Sequence, residues 1–352
     1  MQIPKEITLT EKIMREHRLC DNCLGRQFPK FKPELSNKEK GLLLRFLTLT
    51  KLKSETNTGY IKEELLGLFK KNQTCFLCLN IFDRIDGVIG LILERIREYN
   101  FESFLCGVRI PFNILEEEDR LKSKYRLRGE SLRKEIVREA GLRINKITGK
   151  KTSFSNPEIK IIFEPYNNNQ SMHIISKPIF LYGQYLVFSK IRAFHIILEK
   201  ALLTKFGAER ITIKEALSDT DGIILEGMGV PFIIKIINPK KRDWLFIKGF
   251  KIADNIQVIE IAEATEEEYN RAKFMVEWEA FLHTSRNLKG ETDRRPPDII
   301  KNLNKRISDI KLIKTTHFTW KVKVISKGII RLKDLFETEN IIIKKISVLK
   351  IH

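Results

Sequence analysis

The chain has 352 residues, 42% of them hydrophobic, and a formal net charge of +19 at pH 7. This length and apolar content predict about two domains with packed cores and exclude a wholly disordered protein. No apolar run reaches the roughly 18 residues of a transmembrane helix, and the N-terminus lacks the apolar stretch of a signal peptide, so we expect a cytoplasmic protein outside the membrane. The surplus charge favours a polyanionic partner: nucleic acid first, an acidic membrane surface second.

The first predicted elements are helices. Thr8 and Glu11 have the spacing of a capping box, so we expect a helix that opens there and continues to about residue 16. A second helix is predicted over residues 37–48. A third is predicted over residues 86–99, where apolar side chains recur at helical spacing.

Two CxxC pairs lie among these helices: Cys20 with Cys23, and Cys75 with Cys78. Each pair directs two thiolates to one point, and two pairs complete a tetrahedral zinc site. In a reducing compartment this arrangement is favoured over disulfides, and a redox motif needs only one pair. Four cysteines leave no open coordination position, so the predicted zinc is structural. The remaining Cys106 is expected to be a small buried side chain.

The next zone, residues 121–163, contains 12 basic and 4 acidic side chains. Its centre is predicted to be an amphipathic helix over residues 130–148 with a basic outer face. We expect this zone to contact RNA through Arg133, Lys134, Arg138, Lys150 and Lys151. The predicted strands around the helix are 104–110, 158–163 and 171–175.

The second half of the chain mixes helices and strands irregularly, which favours an α+β fold over a doubly wound sheet. Thr265 and Glu268 form another capping box, which predicts a helix from there to about residue 283. The other predicted elements are a helix over 194–206 and strands at 209–213, 222–226, 231–237, 310–314, 318–326 and 341–350. Residues 294–352 form a second basic zone, with 15 basic and 5 acidic side chains. Two separated basic zones suit a ligand long enough to reach both, such as a folded RNA.

Asp219 and Asp221 are the most chemically suggestive pair, because they lie at i and i+2 where a turn enters a strand. Two carboxylates that point the same way are able to hold a metal or to place a nucleophile. They are also common as simple turn caps. The residues by themselves leave these three interpretations open.

Several motifs in chain order carry a family resemblance. They are Leu19-Cys-Asp-Asn-Cys-Leu-Gly-Arg26, Cys75-Phe-Leu-Cys78, Thr148-Gly-Lys150, Phe180 to Tyr185, Asp219-Thr-Asp221, Gly227-Met-Gly229 and Asn238-Pro239. Together they resemble the archaeal-type tRNA pseudouridine synthases that act on uridines 54 and 55 of the TΨC arm. The likeness is strong to about residue 185, patchy to 242 and weak beyond.

The resemblance implies an α+β protein with three parts. Residues 1–80 would form a zinc-binding N-terminal module, residues 81–177 a THUMP-like RNA-binding domain, and residues 178–352 a pseudouridine synthase-like catalytic domain with a mixed sheet. It also implies structural zinc as the sole cofactor, with no organic cofactor. The expected partner is tRNA, with no membrane and no obligatory protein partner.

Asp219 falls on the position of the family's catalytic aspartate, which attacks a flipped-out uridine. The family's arginine two residues earlier is Leu217 here, and arginine positions also become Ile223 and Val230. Other cations would then have to keep the Asp219 carboxylate ionised and bind the RNA. The candidates are Lys240, Lys241, Arg242, Arg331 and Lys333. The resemblance therefore predicts a tRNA pseudouridine synthase. The alternative is a tRNA-binding protein or RNA chaperone on the same scaffold with weakened or lost catalysis. A DNA-binding zinc protein ranks third, because no recognition helix follows the cysteine pairs.

Overall fold

The computed structural model describes residues 4–55, 74–167, 171–188, 194–216, 224–245, 251–253, 256–284, 307–316, 319–329 and 341–351. The chain divides into two compact units. The first unit contains Met1–Arg97 and Phe101–Ile175, and the second contains Glu98–Asn100 and Ser176–His352. The division into three domains, with limits at 80 and 177, stays a prediction.

The first unit begins with helices: α1 (Lys5–Glu16), α2 (Asp21–Gly25), α3 (Asn37–Glu55) and α4 (Ile81–Ile96). The predicted capping box at Thr8 is wrong, because α1 starts three residues earlier, directly after Pro4, which provides no side-chain cap. Proline is tolerated at this N-cap position because the residue lies outside the helix, so its missing N–H removes no intrahelical hydrogen bond. The helix predicted over 37–48 is longer than expected, and the one predicted over 86–99 starts and ends earlier.

A four-stranded sheet completes the first unit, in the order β2-β1-β3-β4. Its elements are β1 (Ser103–Val108), α5 (Phe112–Tyr125), α6 (Leu132–Thr148), β2 (Lys151–Thr152), β3 (Ile159–Phe163) and β4 (Met172–Ser176). Strand β1 runs parallel to both β2 and β3. The sequence patterns did not predict α5.

The basic helix α6 is confirmed, and both of its ends follow from local chemistry. The Ser131 hydroxyl accepts a hydrogen bond from the Lys134 N–H, and Gly149 ends the helix in the left-handed region at φ 71°. Its buried face includes Leu132, Ile136 and Ile144. Because that apolar face is turned inward, the opposite face carries the basic side chains to the surface.

The second unit is built on a nine-stranded sheet. Its elements are β5 (Ile179–Val187), α7 (Phe194–Phe206), β6 (Arg210–Glu215), β7 (Ile224–Ile237), β8 (Lys251–Ala253), β9 (Ile256–Glu263), α8 (Glu266–Arg271), β10 (Met275–Thr284), β11 (Ile307–Lys314), β12 (Thr319–Lys327) and β13 (Ile341–Ile351). The order is β11-β12-β10-β13-β7-β5-β9-β8, with β6 also paired to β7. Among the described strands of this sheet, only β13 and β7 pair in parallel. The predicted α+β class is therefore confirmed.

The long helix predicted after Thr265 is wrong, although its start is right. The capping box forms in both directions between Thr265 and Glu268, but the helix ends at Arg271. Residues 275–284 form a strand instead, because Val276, Trp278 and Ala280 alternate into the core while the intervening glutamates face outward. The Trp278 indole N–H donates to Ser326 Oγ at 2.9 Å. Partners distant in sequence thus override the local helical start.

Two strands predicted at 222–226 and 231–237 are one strand, β7, which passes through two glycines with positive φ. Gly227 has φ 82° and Gly229 has φ 83°. A Cβ at position 227 would lie 2.2 Å from the carbonyl oxygen of Val348 on β13. Glycine is therefore required at 227 both for its backbone conformation and for the close approach of the neighbouring strand.

We expect Gly227→Ala to lower the free energy of unfolding of the second unit by about 2 kcal/mol or more, since backbone strain and steric overlap add. All three tryptophans of the chain lie in this unit, so tryptophan fluorescence during urea unfolding reports its stability. Gly90→Ala, at an exposed position of α4 in the first unit where a Cβ meets nothing within 4 Å, is the control outside the second unit, and it should leave the tryptophan transition unchanged. Equal midpoints for Gly227→Ala and the wild type would contradict the argument.

Candidate metal centre and surroundings of the predicted active site

The two CxxC pairs meet in the first unit. The Sγ atoms of Cys20, Cys23, Cys75 and Cys78 all lie within 4.8 Å of one another. The Cys20 and Cys78 sulfurs are 3.5 Å apart. Three of the four residues are buried and Cys20 is half-buried. The structure therefore brings together the four residues that the spacing selected.

Local backbone hydrogen bonds determine the conformation of each cysteine pair. Cys20 caps α2, and its Sγ accepts a hydrogen bond from the Cys23 N–H at 3.4 Å. The second pair precedes α4, in a turn where Leu79 and Asn80 have positive φ. The Asn80 side-chain oxygen accepts from the Cys75 N–H at 2.7 Å and holds that turn. The pairs are joined because the Cys20 N–H donates to Cys75 Sγ at 3.2 Å.

These four thiols fit a zinc ion. A tetrahedral site with zinc–sulfur bonds of about 2.3 Å has sulfurs about 3.8 Å apart, and the observed separations lie around that value. Hydrogen bonds from the thiols of Cys20, Cys23 and Cys78 lower the pKa of Cys75, whereas burial raises the pKa of Cys23. Four thiols in a buried cluster do not all ionise on their own, and a divalent cation supplies the charge that lets them do so.

Arg26 is the charged residue beside this cluster, and its side chain is fully buried. Its guanidinium lies 3.3 Å from a carboxylate oxygen of Glu118 on α5 and 3.6 Å from one of Glu135 on α6. Burial by itself lowers the pKa of Arg26, but the Cys23 thiol and the two carboxylates outweigh it and raise that pKa. Arg26 therefore links the cysteine cluster to both helices.

The two carboxylates have further partners. Glu118 accepts from the Leu132 N–H at the start of α6, at 3.0 and 3.1 Å, and pairs with Lys122 at 3.0 Å. Glu135 accepts from the Asn22 amide at 3.1 Å, and burial raises its pKa to about 7. Sequence patterns missed both carboxylates, because acidic residues in helices are usually solvent-exposed. Only their burial distinguishes these two glutamates from exposed ones, and burial is known only from the tertiary structure.

Cys106 stands apart from the cluster, as predicted. It is buried on β1, opposite Ile161 of β3, and burial raises the pKa of its thiol to about 12. Such a thiol stays protonated and behaves as a small apolar side chain.

Three of the predicted RNA-contacting residues are exposed cations: Arg133, Lys134 and Lys151. Within the described parts of the chain, none of the three side chains has a hydrogen-bond or ion-pair partner. The first two lie in the opening turns of α6, and the third begins β2. Their charges are therefore available to a polyanion.

Other predicted RNA-contacting residues already have partners. Arg138 pairs with Glu130 at 3.4 Å and with Glu139 at 2.7 Å, and Lys150 pairs with Glu102 at 2.7 Å. In the second unit, Lys240 pairs with Glu98. An internal ion pair reduces the free energy that a cation gains from a phosphate, so these residues are weaker candidates.

The remaining predicted site residues have different surroundings. Arg242 donates to Ser176 Oγ at 3.0 Å and to the carbonyl oxygen of Lys177 at 2.8 Å, so it holds the entry to β5. Lys241 is exposed. Asp219, Asp221, Leu217, Ile223, Arg331 and Lys333 lie outside the described residues.

The chain on either side of Asp219 is described. Strand β6 ends at Glu215, whose carboxylate accepts from the Tyr185 hydroxyl at 2.8 Å, and burial raises the pKa of this tyrosine. The Ala216 N–H then donates to the carbonyl oxygen of Pro231 on β7 at 3.0 Å. Three residues before Asp219, the backbone is therefore tied to the core of the sheet.

Ala216 also contacts the end of β12. Its carbonyl oxygen accepts a hydrogen bond from the Ile329 N–H, and Gly328 has φ 74°. A Cβ at 328 would lie 2.6 Å from that same oxygen, so only glycine fits. Val230, next to Pro231 on β7, is fully buried. The backbone that precedes the segment of Asp219 is thus hydrogen-bonded to the residues that follow β12.

Comparison with known proteins identifies the class of one domain of the chain. Residues 90–164 match the family model described as the archaeal Pus10 THUMP domain. This segment contains β1, α5, α6, β2 and β3, and ends one residue after β3. The predicted THUMP domain is therefore confirmed, whereas its predicted limits at 81 and 177 stay a prediction. None of the helices in the described ranges is long and apolar enough to cross a membrane.

The particular relatives are archaeal proteins named tRNA pseudouridine synthase Pus10. The one from Nitrosopumilus maritimus is 26% identical over 86% of this chain and 79% of its own length. The one from Pyrococcus furiosus is 29% identical over 66% of this chain, and the one from Thermosphaera aggregans is 30% identical over 66%. The chain spans less than two thirds of these two relatives, 58% and 62% respectively. The resemblance predicted from the motifs is confirmed over most of the chain.

We expect one zinc ion per chain, and its removal by a chelator to unfold the helices around the cluster, since thiolate–zinc binding energy contributes to folding. Elemental analysis and far-ultraviolet circular dichroism measure the two effects. Cys78→Ser should lose the metal, whereas Cys106→Ser, the matched control, should keep it. Full helicity and tRNA binding in the presence of chelator would contradict a structural zinc.

Proposed function

We propose that this protein is a tRNA pseudouridine synthase that isomerises uridine 54, uridine 55 or both in the TΨC arm. The observation that carries the proposal is the similarity to archaeal relatives named tRNA pseudouridine synthase Pus10, which extends over 86% of the chain in one case. The THUMP domain at residues 90–164 supports an RNA substrate. The four-cysteine cluster would hold a structural zinc, no organic cofactor is required, and the protein would work in the cytoplasm.

Asp219 is the proposed nucleophile. The target uridine must leave the base stack before an enzyme group is able to reach it. The ionised carboxylate then attacks the nucleoside, and the bond from the sugar to nitrogen N1 breaks. The uracil ring turns and its C5 forms the new bond to the sugar, while the bond to the carboxylate breaks and frees the aspartate again. C5 then loses its proton and N1 gains one, so the reaction is a net isomerisation. The hydrogen bonds of Ala216 to Pro231 and Ile329 support this role, because they fix the backbone three residues before the proposed nucleophile, and a positioned nucleophile reacts faster.

A carboxylate in a dry pocket needs a nearby cation to stay ionised. Of the candidates, Lys240 pairs with Glu98, and Arg242 is bonded to Ser176 and Lys177. Arg331 follows Ile329 by two residues, and Ile329 is hydrogen-bonded to Ala216. We therefore propose Arg331, with Lys333 close behind it in the chain, as the cation that compensates for the arginine replaced at Leu217.

The buried Val230 favours a second candidate function. A fully buried valine in place of a family arginine removes one cation from the pocket. On this hypothesis the protein binds tRNA as a binding protein or RNA chaperone, with weak or absent isomerisation. The two functions predict opposite results in a pseudouridine assay: a synthase forms product, whereas a binding protein forms little or none.

The first test is a carbodiimide-based pseudouridine assay on unmodified tRNA. We expect product at position 54 or 55 from the wild type and a loss of about 10³-fold or more for Asp219→Asn, because the amide is not a nucleophile. Binding of tRNA should stay near normal. Asp221→Asn is the matched control, and it should keep substantial activity.

Two other results of this assay would change the assignment. Activity that survives Asp219→Asn but not Asp221→Asn would assign the nucleophile to Asp221. Absence of product from the wild type, together with tight and salt-sensitive tRNA binding, would favour the binding protein.

A second test concerns the basic face of α6. Reversing the charges of Arg133 and Lys134 to glutamate should weaken tRNA binding about tenfold or more and lower the slope of log affinity against log salt by about 1 to 2. The control reverses Lys38 and Arg84, two exposed cations on α3 and α4 without a partner among the described residues. Equal effects of the two pairs would place the RNA-binding face elsewhere.

A further inference from the structure

The first unit contains a cleft that is lined by none of the predicted zinc-binding, catalytic or RNA-contacting residues. Its volume is about 340 Å³, and it lies between the start of α1, the loop after α2 and the residues that follow α5. Its polar lining comes from Lys5, Glu6, Gln27, Lys30, Arg126 and Arg128. A cleft of this size is large enough for one nucleotide-sized group.

The charge of the cleft is strongly positive. Lys5, Lys30, Arg126 and Arg128 are all exposed. Within the described ranges, none of these four side chains has an ion-pair or hydrogen-bond partner, and Glu6 is the single acidic residue among those that line the cleft. Four unpaired cations at one cleft attract an anion with several oxygens, such as a phosphate.

The helix α1 adds to this attraction. It is 12 residues long and begins at the cleft, after Pro4, with no side-chain cap. The uncapped N–H groups of a helix N-terminus favour an anion. This is a contribution independent of the four side chains.

One buried side chain that lines the cleft, Gln27, has a polar atom without a hydrogen-bond partner among the described residues. Gln27 is 2% exposed, and its amide N–H donates to the Cys23 carbonyl oxygen at 3.1 Å. Its Oε1 accepts no hydrogen bond from any described residue. Gly129 permits this packing, because a Cβ there would lie 2.4 Å from the Arg26 carbonyl oxygen. Gln27 thus connects the lining of the cleft to the backbone of the first cysteine pair.

An aromatic ring completes the site. Phe31 lines the cleft beside Lys30 and is half-buried. Its position is set by a turn in which its N–H donates to the Phe28 carbonyl oxygen at 3.1 Å. Cations around an aromatic side chain form the usual arrangement for an unpaired nucleotide, in which the phosphate meets the charges and the base stacks on the ring.

We propose that this cleft binds one unpaired nucleotide of the RNA, with its phosphate against Lys5, Lys30 and Arg128 and its base on Phe31. The inference rests on the proposed RNA substrate, but its test measures binding and needs no isomerisation. A free mononucleotide has the same chemistry, and the experiment separates the two sources.

The experiment measures binding of a fluorescein-labelled hexauridylate to the full-length protein by fluorescence anisotropy. Reversing Lys30 and Arg128 to glutamate should weaken binding about tenfold or more and lower the salt slope by about 1.4, as expected for two lost contacts with a single strand. The Lys38 and Arg84 reversal is the matched control, and it should change affinity less than about twofold. Zinc content and helicity should equal those of the wild type in both variants.

The role of Phe31 is tested with an abasic version of the same oligonucleotide. Phe31→Ala should weaken binding of the intact oligonucleotide about five- to tenfold, but leave the abasic one unchanged, because only a base stacks. Equal losses with both oligonucleotides, or no loss with either, would overturn the base contact. Equal effects of the cleft and control charge reversals would overturn the phosphate contact.

Competition with uridine monophosphate identifies the source of the nucleotide. Displacement of the hexauridylate only by an excess of several hundredfold or more supports a nucleotide held within a longer RNA. Displacement by an equimolar amount would overturn the RNA assignment in favour of a free nucleotide. A lack of isomerisation in the pseudouridine assay, with these binding results intact, would overturn the proposed enzyme activity and leave the cleft assignment standing.

Discussion

The convergence of four cysteine thiols is the constraint on which the first unit depends. It joins segments 55 residues apart, because the Cys20 N–H donates to the Cys75 sulfur. The buried charge of Arg26 extends this link to Glu118 on α5 and Glu135 on α6. Breaking a buried ion pair of this kind typically costs about 3–5 kcal/mol, since it leaves a charge without compensation. The cysteine cluster therefore sets the arrangement of helices far beyond its own loops.

The second unit depends on a different constraint, the close approach of backbones at glycines. Gly227 lets β7 pass against Val348, and Gly328 lets the end of β12 approach Ala216. Both positions require a positive φ that other residues adopt only with strain. The same contacts hold the two ends of the segment that contains Asp219. The scaffold thus fixes the approaches to the predicted nucleophile.

Charge has two separate uses in the protein. Exposed cations such as Arg133, Lys134 and Lys151 have no partner among the described residues and are available to a polyanion. Arg138 and Arg26, by contrast, pair with carboxylates inside the molecule. A net charge of +19 therefore indicates the class of partner but does not identify which residues contact it. The cleft at Lys30 and Arg128 shows the same separation on a smaller scale, since its cations have no partner in the described ranges and line the same cleft as Phe31.

Local patterns predicted the elements in which one short segment contains all the information. The basic helix α6 was found from the period of its apolar residues, and the capping box at Thr265 was found from its spacing. The helix expected after Thr265 failed at residue 275 because the strand there is stabilised by β12 and β13 on either side. A capping box determines how a helix begins, but neighbouring strands determine how far it continues. The start of α1 at Lys5 was missed because Pro4 gives no side-chain signal.

The sequence by itself determined the chemistry: two CxxC pairs that suit zinc, a basic helix, and an aspartate at the position of a family nucleophile. Only the tertiary structure decided which charges are free and which are paired. The partner of Lys150 is 48 residues away in the chain, and that of Lys240 is 142 away. The fold also decided that Phe31 would share a cleft with cations from two other segments. The physical reason is that electrostatic and packing energies depend on distance through space, and spacing along the chain encodes that distance only within a single helix, strand or turn.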